Sequence, residues 1–336
     1  MTIPDTTELR SIYHAFADGI SRSIFRHRMT YAVLGETSEL TEIIYKYSPD
    51  SMLLQASKLC FYGAGGAANW LIDANKSIPF VIDKYKTGTI EGIPIISLET
   101  FLQLPDCREY FIIIAVGHEE INKSVEAELS SYGLRYASAY FELHPRYFDL
   151  QYFDLQQLNL QEQGEFFVDA GALDGTNTRN FFRHCKQGHS YIFEPNPEQL
   201  PVIRKKLEEY GDRIELFPFA VYDQNTALHF NNSDDKSLAK VTETGNVVVE
   251  ARTLDEALKD RRVTFIKMDI EGSELAALRG AQKIIKEQRP RLAVCVYHKP
   301  EDIWEIPGLL LQYHPDYQLY LRHYSITRSE TVLYAV

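Results

Sequence analysis

Twice along this chain an apolar run stops at a glycine-rich turn, a helix-like segment follows, and the next apolar run ends in an acid. The first instance is "KLCFYGAGGAANWLI", from Lys58, with Asp83 closing "IPFVID". The second is "FFVDAGALDGTNTRNFF", Phe166 to Phe182, with Glu194 in "SYIFEP". Parallel strands need a crossover connection, usually a helix, and the spacing here supplies one each time. Repeated alternation of this kind points to open parallel α/β sheets, whose ligands bind outside the carboxyl ends of the strands. With 336 residues the chain has room for two such domains.

The first series continues through "GIPIISLETFLQL", with Ser97 or Glu99 near a helix start, and "YFIIIAVG", an apolar run suited to a strand buried on both faces. Before it, "TTELRSIYHAFADGI" and "SELTEIIYKY" space their apolar residues at three and four, which predicts helices, the first capped by Thr6 or Thr7. Between the series, "FELHPRYFDLQYFDLQQLNLQEQGE" has no clear period and reads as a linker. The expected division is a helical segment over 1–55, a small Rossmann-like domain over 56–140, a linker over 141–164 and a larger α/β domain over 165–336. In the last, six parallel positions and a closing antiparallel strand predict a seven-stranded sheet. A polar insert there carries two short strands, and "SELAALRGAQKIIKEQ" reads as one helix.

A formal net charge of −12 argues against a duplex nucleic-acid binder, whose affinity rests on cations. The basic stretch "SRSIFRHR", Ser21 to Arg28, is read as a solvated helix face. Cys60, Cys107, Cys185 and Cys295 are scattered singly, which excludes a CxxC zinc motif and suits a reducing cytoplasm. Neither a signal peptide nor an apolar run long enough for a membrane span is seen, so a cytoplasmic protein is expected.

The chemistry lies at the strand ends. Gly171 and Gly175 permit close backbone approach and unusual φ angles. Asp169 would repel a phosphate and better suits a cation or a hydroxylated neutral group. Glu194 follows Asp169 by about 25 residues, near the roughly 20-residue offset of a ribose-binding acid in dinucleotide folds. A nucleoside without phosphate fits, S-adenosylmethionine being the common one; other nucleotides remain the alternative. At a third turn, "FIKMDIEGSELAALRG", Lys267, Asp269, Glu271 and Glu274 surround Gly272. The plainer reading is that Ser273 caps the next helix and Glu274 favours its positive end.

With these pieces in view, residues from about 165 to 336 resemble the FkbM family of S-adenosylmethionine-dependent methyltransferases. The matching stretches are "FVDAGALDGTNTRNF", "IFEPNP", "ARTLDEAL", "IKMDIEGSELAALRGA" and "LYLRHYSITRSETVLYAV", of which "KMDIEGSE" is the most specific. The resemblance implies a class I methyltransferase fold, S-adenosylmethionine as donor, and hydroxyls of sugars or other secondary metabolites as acceptors, as in polysaccharide biosynthesis. It places the donor against Asp169, Gly171, Ala172, Asp174, Gly175, Thr176, Glu194, Pro195, Asn196, Ala220 and Asp269, with Phe219 and Val221 as adenine neighbours or simple core. Leu173-Asp174 stands where many relatives carry a pair such as Asn-Ile; Asp174 either meets the donor's ammonium or caps the helix.

Methyl transfer from a sulfonium is an in-line displacement, so the protein mainly aligns acceptor, methyl and sulfur. A protonated hydroxyl is a poor nucleophile, and a general base in reach helps. Asp269, Glu271, His298 and His323 are the candidates, and the preferred pair is Asp269 orienting His298. Lys267, Glu271, Arg252, Arg322 and His323 are expected at a small-molecule or glycan acceptor. A divalent metal would use the same Asp269, Glu271 and His298, but the spacing selects none and no metal is expected.

In the first domain "GAGGAANW" is a partial dinucleotide fingerprint, with Ala68 in the third glycine place and Asp83 about 20 residues past Gly63. The domain also resembles small Rossmann-like modules found beside sugar-modifying enzymes, on "GIPIISLETF". A scaffold or homo-oligomer contact, a sugar nucleotide or glycan carrier, and NAD are its open readings. Two whole-chain alternatives follow: an NAD-dependent oxidoreductase, and a non-catalytic nucleotide-binding or assembly protein.

Overall fold

The computed structural model describes residues 3–47, 56–74, 77–116, 119–138, 151–231, 240–241, 247–326 and 328–336. The chain forms two compact units. One comprises Met1–Phe25, Leu150–Arg322 and Thr331–Val336; the other comprises Arg26–Asp149 and His323–Glu330. This differs from the expected division at two places. The N-terminal helical segment is shared between the units, its residues 48–55 lying outside the described residues. The expected linker is not one over its described part, because Tyr152, Phe153, Leu155 and Leu158 are buried in the larger unit. Its residues 141–150 lie outside the described residues.

The smaller unit is built on β1 (Leu59–Tyr62), β2 (Val81–Ile82), β3 (Gly88–Ile90), β4 (Ile93–Ile96), β5 (Phe111–Ile114) and β6 (Arg135–Ser138). They form one sheet in the order β3-β4-β2-β1-β5-β6, in which β3 runs antiparallel to β4 and the other neighbours pair parallel. β1 and β5 are central and apolar on both faces, and Cys60, Tyr62, Ile112 and Ile114 pack with Phe101, Val125 and Leu129 in its core. Ser97 caps the helix Leu98–Leu102 by accepting the Thr100 amide at 3.1 Å.

The larger unit continues with β7 (Gln163–Ala170), β8 (Gln187–Phe193), β9 (Ile214–Phe217), β10 (Ala220–Val221), β11 (Thr226–Asn231), β12 (Lys240–Val241), β13 (Val247–Arg252), β14 (Phe265–Met268), β15 (Arg291–Cys295), β16 (Leu319–His323) and β17 (Thr331–Ala335). Seven of these make the expected α/β sheet, ordered β16-β17-β15-β14-β7-β8-β9, with β17 antiparallel to β15. The polar insert is more than two strands: β10, β13, β11 and β12 form a separate sheet. The single helix expected after β14 is two, Glu274–Arg279 and Gln282–Gln288. Gly280 lies in the break, where a Cβ would overlap the Tyr222 carbonyl.

At the N-terminus Asp5, not Thr6 or Thr7, caps the first helix, accepting the Thr7 and Glu8 amides. The basic stretch at 21–28 is not a solvated face throughout: Ser21 and Arg28 are buried, and Arg28 donates to the Arg328 carbonyl. No helix among the described residues is long and apolar enough to cross a membrane.

Candidate active site

The sheet order puts the carboxyl ends of β8, β7, β14 and β15 side by side. Lys267 pairs with Asp169 across β14 and β7, and Asp169 with Ile192 across β7 and β8. The glycine turn after β7 is therefore walled by both neighbours. Gly171 has φ +79°, and a Cβ there would overlap the Asp269 carbonyl oxygen, so the glycine is required by the neighbouring strand end before any ligand is considered.

Five amides of this turn are already used. Gly171 and Ala172 donate to the Phe193 carbonyl, Gly175 to Ala172, Leu173 to Glu194 Oε2 at 2.8 Å and Thr176 to Asp174 Oδ1 at 2.9 Å. Glu194 is 6% exposed and also accepts the Asn196 amide at 2.8 Å. Burial pushes its pKa up, against the pull of those two amides. Each of its oxygens takes one amide, and a carboxylate oxygen has room for another donor. Pro195 is half-buried between them, and Asn196 accepts the Glu198 amide at 3.0 Å.

Several residues expected at the donor have other work. Asp169 is fully buried beneath the turn, accepting Thr178 Oγ1 at 2.8 Å and standing 3.2 Å from Lys267 Nζ. Ala172 packs with Ile192, Ile203 and Leu207. Asp174, one residue before the N-cap Gly175 of the helix Thr176–His184, accepts the Thr176 amide and pairs with Lys206, which also reaches Thr176 Oγ1 at 2.8 Å. Burial raises the Asp174 pKa, but the bonds from Lys206 and Thr176 outweigh it and leave it low. Ala220 belongs to β10 in the separate sheet, and Phe219 is buried against Phe193 and Phe217.

Beside the turn lies an acidic cluster around one imidazole. Asp269 leaves the end of β14, Glu271 follows in a left-handed conformation (φ +55°), and His298 comes from the segment after β15. His298 Nε2 stands 3.5 Å from Asp269 Oδ1 and 3.5 Å from Glu271 Oε2. Its Nδ1 lies 3.0 Å from Oε1 of Glu274, which is fully buried and also accepts the Ile270 amide at 2.8 Å. Burial works against charge on His298, but the carboxylates of Glu274, Asp269 and Glu271 prevail and raise its pKa to about 9. Burial likewise opposes ionisation of Asp269, and Lys267 and His298 more than offset it, keeping its pKa low. The expected Asp269 and His298 do come together, and Glu274 also stands against the ring, so that Nε2 faces two carboxylates. An imidazole held charged near neutral pH is a counter-charge there, not a free base.

Of the residues expected to hold an acceptor, only Glu271 lies in this cluster. Lys267 is 1% exposed and donates to the Gly171 carbonyl at 2.7 Å, so it ties the turn to β14 and has no reach to an acceptor. Arg322 pairs with Asp18 at 2.7 Å and Ser21 Oγ at 3.2 Å. Arg252 binds Glu250 Oε1 at 2.6 Å and lies over the Phe219 ring. His323 is buried in the smaller unit.

Two residues of the site, Tyr152 and Asp302, escaped the sequence reading, and Glu274 was read beside Gly272 without its partner His298. Tyr152, from the expected linker, donates its hydroxyl to Asp269 Oδ2 at 2.9 Å. Asp302 is buried at the start of the helix Asp302–Tyr313; burial and then the Glu274 charge raise its pKa to about 7. No spacing rule links them, because they meet through the packing of distant segments.

Comparison with known families settles the class of this half. Residues 169–325 match the methyltransferase FkbM domain over the turn, β14 and the His298 segment. Residues 169–325 form an FkbM methyltransferase domain. The chain also matches a solved structure, methyltransferase FkbM from Methylobacillus flagellatus KT, at 20% identity over 92% of this chain and 99% of that one, with a TM-score of 0.54. That is a likeness of fold. Remoter likenesses include a precorrin-6y C5,15-methyltransferase from Geobacter metallireducens GS-15 (16% identity, 54% of this chain and 82% of that one, TM-score 0.33). Another is Aeropyrum pernix fibrillarin with natively bound S-adenosyl-L-methionine (10% identity, 52% and 67%, TM-score 0.34). No weight rests on these two. No curated protein matches the chain. An FkbM domain takes its methyl group from S-adenosylmethionine, and the parts present fit that donor: a buried carboxylate with spare acceptor capacity at Glu194, and a turn with five of its amides already satisfied.

Proposed function

We propose that this protein is an S-adenosylmethionine-dependent O-methyltransferase acting on a hydroxyl of a saccharide or related metabolite. The observation that carries the reading is the state of the turn. Gly171, Ala172, Leu173, Gly175 and Thr176 all donate within the chain. A phosphate needs free amides at such a turn, whereas ribose hydroxyls need an acceptor, which Glu194 is. This favours a nucleoside donor without phosphate over NAD.

When bound, S-adenosylmethionine supplies a methyl group already activated on a sulfonium. The chain's own residues position and receive. Glu194 accepts the ribose hydroxyls. Lys267 pins the turn to β14, fixing the distance between donor turn and acidic cluster. Asp269 and Glu271 present carboxylate oxygens to the acceptor hydroxyl, and Glu271, with 28% of its side chain exposed, is open to receive its proton. His298, with Lys267, helps keep Asp269 ionised. A hydroxyl-rich acceptor matches a cluster whose polar groups are mostly acceptors.

Calorimetric titration tests this. S-adenosylmethionine and its demethylated product are expected to bind the full chain, and NAD to leave the larger unit unaffected. Binding of NAD without either of the first two would overturn the reading. Mass spectrometry of saccharides incubated with enzyme and donor then identifies the acceptor by a gained methyl.

A further inference from the structure

Asp269 Oδ1, Glu271 Oε2 and His298 Nε2 converge on one point. The three ligand atoms lie within 4.8 Å of one another, with the nitrogen 3.5 Å from each oxygen. That separation is long for a hydrogen bond. Around a cation with bonds of ~2.1 Å, neighbouring ligand atoms stand about 3.0–3.4 Å apart. The nitrogen thus already stands from each oxygen at nearly the spacing of neighbouring ligands in a coordination shell.

A second, independent observation lies behind the ring. The His298 side chain is 7% exposed, and its far nitrogen, Nδ1, faces the fully buried Glu274 at 3.0 Å. Glu274 is itself held by the Ile270 and Gly272 amides. A carboxylate on the far nitrogen fixes the tautomer whose Nε2 lone pair points outward, and metal-binding histidines are typically supported in this way. Asp269 is supported likewise, its second oxygen taking the Tyr152 hydroxyl at 2.9 Å, while Oδ1 takes the Tyr297 hydroxyl at 3.3 Å and also faces His298. With no cation bound, the imidazolium itself stands between the two carboxylates; a bound cation would displace its Nε2 proton and take up that lone pair.

We propose that Asp269, Glu271 and His298 form a binding site for one divalent cation of the Mg2+/Mn2+ class, whose open positions take the acceptor's oxygen. Two carboxylates and one imidazole match the oxygen-rich ligand sets such ions accept, Mn2+ tolerating the nitrogen better. Vicinal hydroxyls of a saccharide could occupy two adjacent open positions. The cation site stands on the three residues and their supports; its meeting the acceptor rests on the methyltransferase reading above.

Mn2+ is the probe, titrated into the full chain without donor and followed by loss of the free-ion paramagnetic resonance signal and by calorimetry. One equivalent is expected to bind wild type, with affinity at least tenfold weaker in Glu271→Gln and in His298→Asn. Glu271→Gln changes a partly exposed side chain and keeps its size, so it tests the site even if His298→Asn fails to fold. No Mn2+ uptake by wild type, or wild-type affinity in Glu271→Gln, overturns the proposal. S-adenosylmethionine titrated into the same samples separates the two claims. Donor binding without a Mn2+ site removes the cation and leaves the methyltransferase; a Mn2+ site without donor binding does the reverse.

Discussion

In the larger unit Glu194 accepts the Leu173 amide at 2.8 Å; in the smaller, Asp83 accepts the Ala64 amide at 2.7 Å. Each acid ends the strand after a glycine turn and holds that turn closed. The likeness stops there. Glu194 takes one further amide and is buried, and burial raises its pKa. Asp83 takes two more, from Tyr85 and Lys86, and these bonds lower its pKa in spite of the burial that opposes them. Lys86 Nζ closes on the Ala64 carbonyl at 2.6 Å. Most of the acceptor capacity of Asp83 is therefore spent on its own loop. The adjacent strand ends differ more. β14 leads into Asp269 and Glu271, whereas β5 leads into Ala115 and Val116, with 117–118 outside the described residues. A glycine turn marks where a ligand can approach a sheet; the charges on the neighbouring strand end decide whether chemistry can follow.

The sharpest way to break this comparison is to add one methyl group to each turn. Gly171→Ala meets the Asp269 carbonyl and a φ of +79°, whereas a Cβ on Gly65 meets open space. Gly171→Ala is expected to cost about 3 kcal/mol or more, or to prevent folding, and Gly65→Ala to stay within about 1 kcal/mol. Chemical denaturation of both variants decides it, and equal midpoints would erase the distinction.

The next effect is on pH dependence. Asp302 has its pKa raised from 3.8 to about 7, so its protonated form is the one the fold favours. That stability is fully present below the unfolded pKa and is lost as pH rises through about 7, amounting to about 4 kcal/mol. Denaturation midpoints measured from pH 4 to 8 should fall less steeply in Asp302→Asn than in wild type. Parallel curves would show that the buried acid does not titrate as described.

A binding comparison comes third. Glu194→Ala should weaken S-adenosylmethionine about 100-fold, while Asp83→Ala leaves it within about twofold, since a charged-group hydrogen bond contributes about 1.5–3 kcal/mol. Loss of donor affinity from Asp83→Ala would move the donor to the other turn.

The smallest contrast uses two buried tyrosines. Tyr152 donates to Asp269 at 2.9 Å, whereas Tyr62 reaches Glu128 only at 3.4 Å. Removing each hydroxyl, as Phe, should cost about 1–2 kcal/mol at Tyr152 and less than about 0.5 kcal/mol at Tyr62. Urea denaturation at one pH compares them directly.

Much of this architecture was readable along the chain. Alternating apolar runs and glycine turns located β1, β7, β8, β14 and β15, and the closing antiparallel strand followed from two strands with no helix between them. "KMDIEGSE" located the acidic strand end. Tyr152 was not readable, since an aromatic in an aperiodic stretch carries no sign of its partner. Nor was the loss of Lys267 and Arg322 from the acceptor set. Lys267 has the composition of a ligand-binding residue, but strand pairing carries it into the sheet, opposite Asp169. Arg322 finds Asp18, some 300 residues away in sequence, through a hydrogen bond and ion pair.

The sequence by itself determined the class of fold, the strand ends at which ligands can approach, and the acids placed there, because periodicity, turn residues and strand-end acids are local properties. Only the tertiary structure decided which of those groups are spent on the protein and which are left for a ligand. Asp169, Lys267 and Asp174 satisfy one another or the backbone, and Glu274 turns His298 toward Asp269 and Glu271. A buried charge must find its partner wherever packing brings one, and packing between segments far apart in the chain leaves no mark on either segment alone.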